Sequence, residues 1–183
     1  MTLDFLARPK RVAITSVVTT FAFFSLIVPC APAQSVKIGS EIFLECQGDI
    51  PGPRFLDGRT GNGTVGLAPE TGGNFTGTRW RVLDGGNGTV ILECLGTVPG
   101  PRFLDGRTGN GTVGLAPQTG GEFTGTRWRV LQNGNDFFFE CQGNIPGPRF
   151  LDGRTGNGTA GLAPETGGSF TGTRWRVLSE DKR

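Results

Sequence analysis

Residues 46 to 178 repeat one sentence of sequence three times, and this repetition restricts the fold more than any other property of the chain. Cys46, Cys94 and Cys141 are separated by 48 and 47 residues, and Trp80, Trp128 and Trp175 keep the same two intervals. The first copy, Cys46 to Leu83, reads CQGDIPGPRFLDGRTGNGTVGLAPETGGNFTGTRWRVL. Cys94 to Leu131 matches it at 33 of 38 positions, and Cys141 to Leu178 matches at 35 of 38. The units are therefore about 36–83, 84–131 and 132–178. A period of this length marks one supersecondary unit that cannot cover its own apolar face, so the three copies must share a core.

Each unit carries four strand signals. The lead-in to the cysteine changes in sequence but keeps its alternation: Ile42, Leu44 and Cys46, then Val90, Leu92 and Cys94, then Phe137, Phe139 and Cys141. A period of two makes one face apolar, which places the cysteines inward and turns Glu45, Glu93 and Glu140 outward. The second strand is expected over Arg54–Asp57, set off by Pro51-Gly52-Pro53, and the third over Thr64–Ala68. They are joined through Thr60-Gly61-Asn62-Gly63, where Asn-Gly is a strong hairpin signal because both residues accept positive φ. The fourth is expected over Thr78–Leu83, after which Asn87-Gly88 turns the chain into the next unit. No segment holds a helical period over eleven residues, and the 32 glycines and 12 prolines would break one.

Four strands in each of three units give an all-β chain of twelve strands about a threefold axis. A β-trefoil meets this requirement with six strands in a barrel and six in a hairpin cap. A β-prism also has three four-stranded sheets, whereas a propeller needs at least four blades. The expected domain is residues 34–183, a monomer of three pseudo-equivalent units.

Within each unit, Leu56-Asp57, Val65-Gly66-Leu67, Gly72-Gly73 and Thr78-Arg79-Trp80 form an ordered set, repeated around Asp105 with Trp128 and Asp152 with Trp175. This set resembles the ricin-type β-trefoil lectin repeat. There Leu-Asp precedes a turn, an alternating strand, a small-residue loop and Gln-x-Trp. The resemblance implies a core role for the tryptophans and a sugar-hydroxyl acceptor role for Asp57, Asp105 and Asp152. It also implies an amide partner near the turn, for which Asn62, Asn110 and Asn157 stand in place. Thr78 occupies the glutamine position and the chain has no tyrosine. Phe75, Phe123 and Phe170 are then the aromatic platforms near the site.

The function expected from this set is non-catalytic carbohydrate binding at up to three shallow sites, with glycans or glycoconjugates as partners. The competing class is an extracellular protein-interaction module, such as an inhibitor or adhesin component. Each residue also has a purely structural role open to it. Asp57 can cap its turn or pair with Arg59, and Asn62 can serve the hairpin alone. Asn62-Gly63-Thr64 also matches a glycosylation sequon. The repeated arginines, Arg54, Arg59, Arg79 and Arg81, can form an anion site or cover the barrel rim and pair with acids.

Composition excludes several chemistries. The chain has no histidine, which removes Ser-His-Asp and Cys-His nucleophile systems and histidine metal sites. Asp57 with Glu45 is the nearest thing to a glycosidase pair, yet no spacing defines their separation. No cofactor or metal is implied. Beyond residue 33 the chain holds 15 basic and 15 acidic residues, so nothing draws it toward nucleic acid or an anionic membrane.

Residues 1–33 read as a secretory signal. Arg8, Lys10 and Arg11 precede an apolar run from Val12 to Val28, and Ala31 and Ala33 have the spacing of a cleavage site. A retained anchor is the alternative. Cys30 suggests lipid attachment, but Pro29 before it is wrong for that processing site. The expected location is secreted or periplasmic, where disulfides form. Three symmetry-related cysteines cannot all pair, so Cys46, Cys94 and Cys141 are expected as buried free thiols.

Overall fold

The computed structural model describes residues 35–179; the expected signal segment lies outside them. Twelve strands run in chain order: β1 Glu41–Cys46, β2 Phe55–Arg59, β3 Thr64–Ala68, β4 Trp80–Gly86, β5 Thr89–Cys94, β6 Phe103–Arg107, β7 Thr112–Ala116, β8 Trp128–Asn133, β9 Asp136–Cys141, β10 Phe150–Arg154, β11 Thr159–Ala163 and β12 Trp175–Ser179. A single 3₁₀ turn precedes β4, β8 and β12, at Thr76–Thr78, Thr124–Thr126 and Thr171–Thr173. All pairings are antiparallel.

Six strands close a ring. The long pairs are β4 with β5, β8 with β9, and β1 with β12. Shorter contacts of β1 with β4, β5 with β8, and β9 with β12 join them in a circle. The other six strands form the hairpins β2–β3, β6–β7 and β10–β11. These meet one another through Thr64 opposite Gly114, Gly161 opposite Thr112, and Thr159 opposite Gly66. Leu67, Leu115 and Leu162 each donate their backbone N–H across this junction, to Gly158, Gly63 and Gly111. The chain is all-β with a closed sheet and a β-trefoil-like arrangement of ring and cap.

One apolar core fills the ring. Ile42, Leu44, Cys46, Leu92, Cys94, Phe139 and Cys141 are buried in it, as the alternation requires. Glu45, Glu93 and Glu140 face outward and meet Arg176, Arg81 and Arg129. Phe43 and its equivalent Ile91 depart from the simple pattern, since both are buried although they alternate with the core residues. Trp80, Trp128 and Trp175 are fully buried, and each indole N–H donates to a backbone carbonyl, of Leu56, Leu104 and Leu151, at 2.9, 3.0 and 2.9 Å. A buried indole needs that partner, and the hydrogen bond ties the start of β4 to β2 in every unit.

Two local expectations shift. The fourth strand begins at Trp80 rather than Thr78, because Thr78 lies in the 3₁₀ turn and its hydroxyl donates to the carbonyl of Phe75 at 2.7 Å. In the β2–β3 turn only Gly63 has positive φ, at 72°, whereas Asn62 does not. Its Oδ1 instead accepts from the backbone N–H and the hydroxyl of Thr64, at 3.1 and 2.7 Å. Asn87-Gly88 does take positive φ at both residues, 53° and 74°, as a two-residue hairpin between β4 and β5.

Candidate functional site

Three open cavities of about 260, 230 and 260 Å³ lie at equivalent places, around Asp57, Asp105 and Asp152. Each is built from two neighbouring units. One unit supplies the turn of its cap hairpin and its 3₁₀ turn. The next supplies the loop that follows its cysteine. For the first cavity these are Asp57 to Asn62, then Asn74, Thr76 and Gly77, and finally Val98. The second cavity has Ile145 from the third unit, and the third has Ile50 from the first.

The aspartates hold the middle of each floor. They are almost fully buried, yet each lines its cavity. Burial raises the pKa of all three carboxyls, and the arginine two residues on works against it. The Arg59 Nε lies 3.7 Å from Asp57, and the corresponding distances are 3.8 Å for Arg107 and 3.6 Å for Arg154. These guanidinium groups are more than half exposed, so the attraction is modest. The turn is closed by other groups: the N–H groups of Asn62 and Gly63 donate to Arg59 O. The Asp57 carboxylate is therefore not needed to close the turn; its Oδ2 faces the Arg59 guanidinium and its Oδ1 lies beside Gly77, both residues that line the same cavity.

Asn62, Asn110 and Asn157 line the same cavities. Their Oδ1 atoms are occupied by Thr64, Thr112 and Thr159, which leaves the amide N–H₂ as the end able to donate to a ligand. The aspartate and asparagine of each repeat, predicted from sequence, thus come together. Phe75, Phe123 and Phe170 do not join them. Each stands half-buried at the head of its 3₁₀ turn, with its N–H donating to the carbonyl of Gly72, Gly120 or Gly167. Glu45, on β1, faces Arg176 of β12 and lines none of the three cavities.

The apolar wall comes instead from Ile50, Val98 and Ile145, which sequence reasoning missed. A signal existed: a β-branched aliphatic recurs in an otherwise polar Gly-Pro loop, as Ile50-Pro51, Val98-Pro99 and Ile145-Pro146. The loop is held from within. Arg54 donates to the carbonyls of Cys46, Gly48 and Ile50 at 3.0, 2.8 and 3.4 Å. Arg102 and Arg149 repeat the three bonds in their units. A further tie reaches the 3₁₀ turn of the preceding unit, where the Thr76 hydroxyl accepts from Thr97 N–H at 3.3 Å.

Beneath each floor sits a cysteine of the next unit. The Cys94 thiol lies 3.3 Å from Gly58 O and 3.4 Å from Gly77 O, and Cys46 and Cys141 make the same pair of contacts. All three are free and buried. Burial pushes the Cys94 and Cys141 thiols up to about 11 and raises Cys46 in the same direction.

Among known proteins, no family model matches the chain and no curated protein matches it in sequence. Solved structures do match in shape. A designed 3-fold symmetric protein, ThreeFoil, superposes with a TM-score of 0.58 at 20% identity, covering 76% of this chain and 98% of that one. Cry35Ab1 superposes with a TM-score of 0.59 at 12% identity, covering 79% of this chain and 36% of that one. At these identities the likeness concerns the fold.

Proposed function

We propose that this protein is a secreted, non-catalytic carbohydrate-binding module of the ricin-type β-trefoil kind, with three equivalent shallow sites. One observation carries the reading: a nearly buried aspartate, an asparagine amide and an arginine converge in each of three open cavities of monosaccharide scale. A sugar offers vicinal hydroxyls, which donate well to a carboxylate, while its hydroxyl and ring oxygen atoms accept from amide and guanidinium N–H groups. Three weak sites on one rigid body suit a multivalent glycan surface, where linked contacts multiply into high apparent affinity. The expected form is a monomer released to the secreted or periplasmic space after loss of residues 1–33.

The second reading is a protein-interaction module, and the exposed aliphatic at each cavity favours it, because no aromatic ring is placed there for a sugar to stack on. A glycan array probed at high protein density separates the two. Binding to a defined glycan class, lost when Asp57, Asp105 and Asp152 are all changed to Asn, is the expected result. Silence across the array would sink the carbohydrate reading and leave the protein-binding one.

A further inference from the structure

Ile50, Val98 and Ile145 remain 61%, 53% and 60% exposed, and all three stand at the same place in the repeat. An aliphatic side chain left in water is ordinarily unremarkable, but these three are not left loose. Each is fixed by the arginine fork on its loop carbonyls and by contact with the turn of the facing hairpin. A β-carbon placed on Gly61 would lie 3.1 Å from Val98 Cγ1, and at Gly109 or Gly156 it would lie 3.2 or 3.3 Å from the Cγ2 of Ile145 or Ile50. Each side chain is thus braced on one flank by the turn, open on the other, and set across a cavity from a carboxylate.

A braced β-branched group offers a narrow convex knob, whereas stacking against the flat face of a pyranose ring calls for a planar surface. What such a knob covers well is another small apolar group. We propose that each site takes a sugar bearing a methyl group beside its hydroxyls, the hydroxyls meeting Asp57, Asp105 or Asp152 and the methyl resting on Val98, Ile145 or Ile50. The methyl has two chemical sources, the C6 methyl of a 6-deoxyhexose and the N-acetyl methyl of a 2-acetamido sugar. This inference rests on the carbohydrate reading and sharpens it to a ligand class.

The test titrates the full chain, carrying ¹³C-labelled Ile and Val methyls, with two matched pairs: L-fucose against L-galactose, and N-acetylglucosamine against glucose. The expected result is tighter binding of at least one methyl-bearing member by about fourfold, from the burial of one methyl group. The methyl resonances of Ile50, Val98 and Ile145 should move with that ligand. The first pair responding marks a 6-deoxy sugar and the second an acetamido sugar. The triple variant Ile50→Ser, Val98→Ser, Ile145→Ser alters exposed side chains and keeps the core, so it should fold. It should still bind sugar while losing the preference within the pair. Sugar binding without any methyl preference, or a preference that survives the triple variant, overturns this inference alone. No binding of any of the four sugars, with binding elsewhere on a glycan array, also overturns this inference alone; silence on the array as well overturns the carbohydrate reading and this inference with it.

Discussion

Gly58 and Cys94 occupy one another's space, and their coupling can be stated in advance. A β-carbon on Gly58 would stand 2.7 Å from the Cys94 sulfur, 3.1 Å from its Cβ and 3.0 Å from the Trp80 ring. Gly58 is not among the positive-φ glycines, so the backbone accepts alanine and the obstacle is packing alone. Gly58→Ala should therefore destabilise by roughly 1–3 kcal/mol, as overpacking of a dense core does. Cys94→Ala removes a fully buried sulfur and should cost on the order of 1 kcal/mol or slightly more. In the double variant the new methyl group enters the volume that the sulfur leaves. The double should then cost less than the two singles together by about 1 kcal/mol, which is a favourable coupling. Any gain from a stiffer unfolded chain at residue 58 is present in both the single and the double variant, so it cancels in the cycle.

Urea unfolding followed by tryptophan fluorescence measures all four corners, since Trp80 sits at the site of change. Gly77→Ala is the control. Its β-carbon would meet the backbone carbonyl of Gly58 at 2.0 Å, which no side-chain deletion can relieve, so Cys94→Ala should not rescue it. The same cycle exists twice more, at Gly106 with Cys141 and Gly153 with Cys46, where the added carbon also falls 2.7 Å from sulfur. Additivity within about 0.5 kcal/mol in all three places would falsify the packing argument.

Three other outcomes are expected. Because burial raises the carboxyl pKa of Asp57, Asp105 and Asp152, the folded state holds their protons more tightly than the unfolded chain does. Their charged forms thus weigh against folding at neutral pH, and this cost fades as pH falls through the raised pKa toward 3.8. Changing each to Asn should abolish sugar binding yet leave stability equal or higher, and in the parent chain binding should fade with a midpoint above pH 3.8. Loss of stability in the triple Asn variant, measured by urea unfolding, would contradict this. The three buried thiols should label slowly with a thiol reagent until urea opens the fold, while fast native labelling or a disulfide-linked dimer on a non-reducing gel would refute their placement. Arg102→Ala should cost about 1–3 kcal/mol and weaken ligand binding at the first site; Arg102→Lys should not restore either, since lysine lacks the planar fork that reaches three carbonyls. Equal behaviour of Arg102→Lys and the parent would show that charge alone holds the loop.

Much of this fold could be read directly from residue order, and the failures have particular causes. Alternation at Ile42, Leu44 and Cys46 marks the inward face although Phe43 is buried on the other, because Glu41 and Glu45 share that second face and pair with arginines outside the ring. Thr64–Ala68 matched β3 to the residue because Gly63 and the Asn62 side chain fix where the turn ends. β4 starts two residues later than its sequence pattern suggests, because the Thr78 hydroxyl holds the Phe75 carbonyl and keeps residue 78 in the 3₁₀ turn. Asn62 needs no positive φ, because its side chain accepts from Thr64 and orders the turn instead. Ile50, Val98 and Ile145 escaped notice for a different reason. They lie far in sequence from the aspartates they face, since each cavity draws its wall from the following unit, and a reading confined to one repeat cannot see across that joint.

The joint also explains how three units relate to three sites. A cavity between neighbours appears once per junction, so an open row of three copies would hold two. The third exists because β1 pairs with β12 along Ile42–Cys46, which brings the loop of Ile50 over the hairpin turn that follows Asp152. At that closure the Thr155 hydroxyl donates to Ile50 O at 2.6 Å, and Arg174 reaches Gln47 O and Asp49 at 3.1 and 2.8 Å. The bonds that complete the ring are therefore among those that complete the third site. Stability and binding capacity are linked at this seam, because whatever separates the first strand from the last opens the ring around the shared core and removes the third cavity with it.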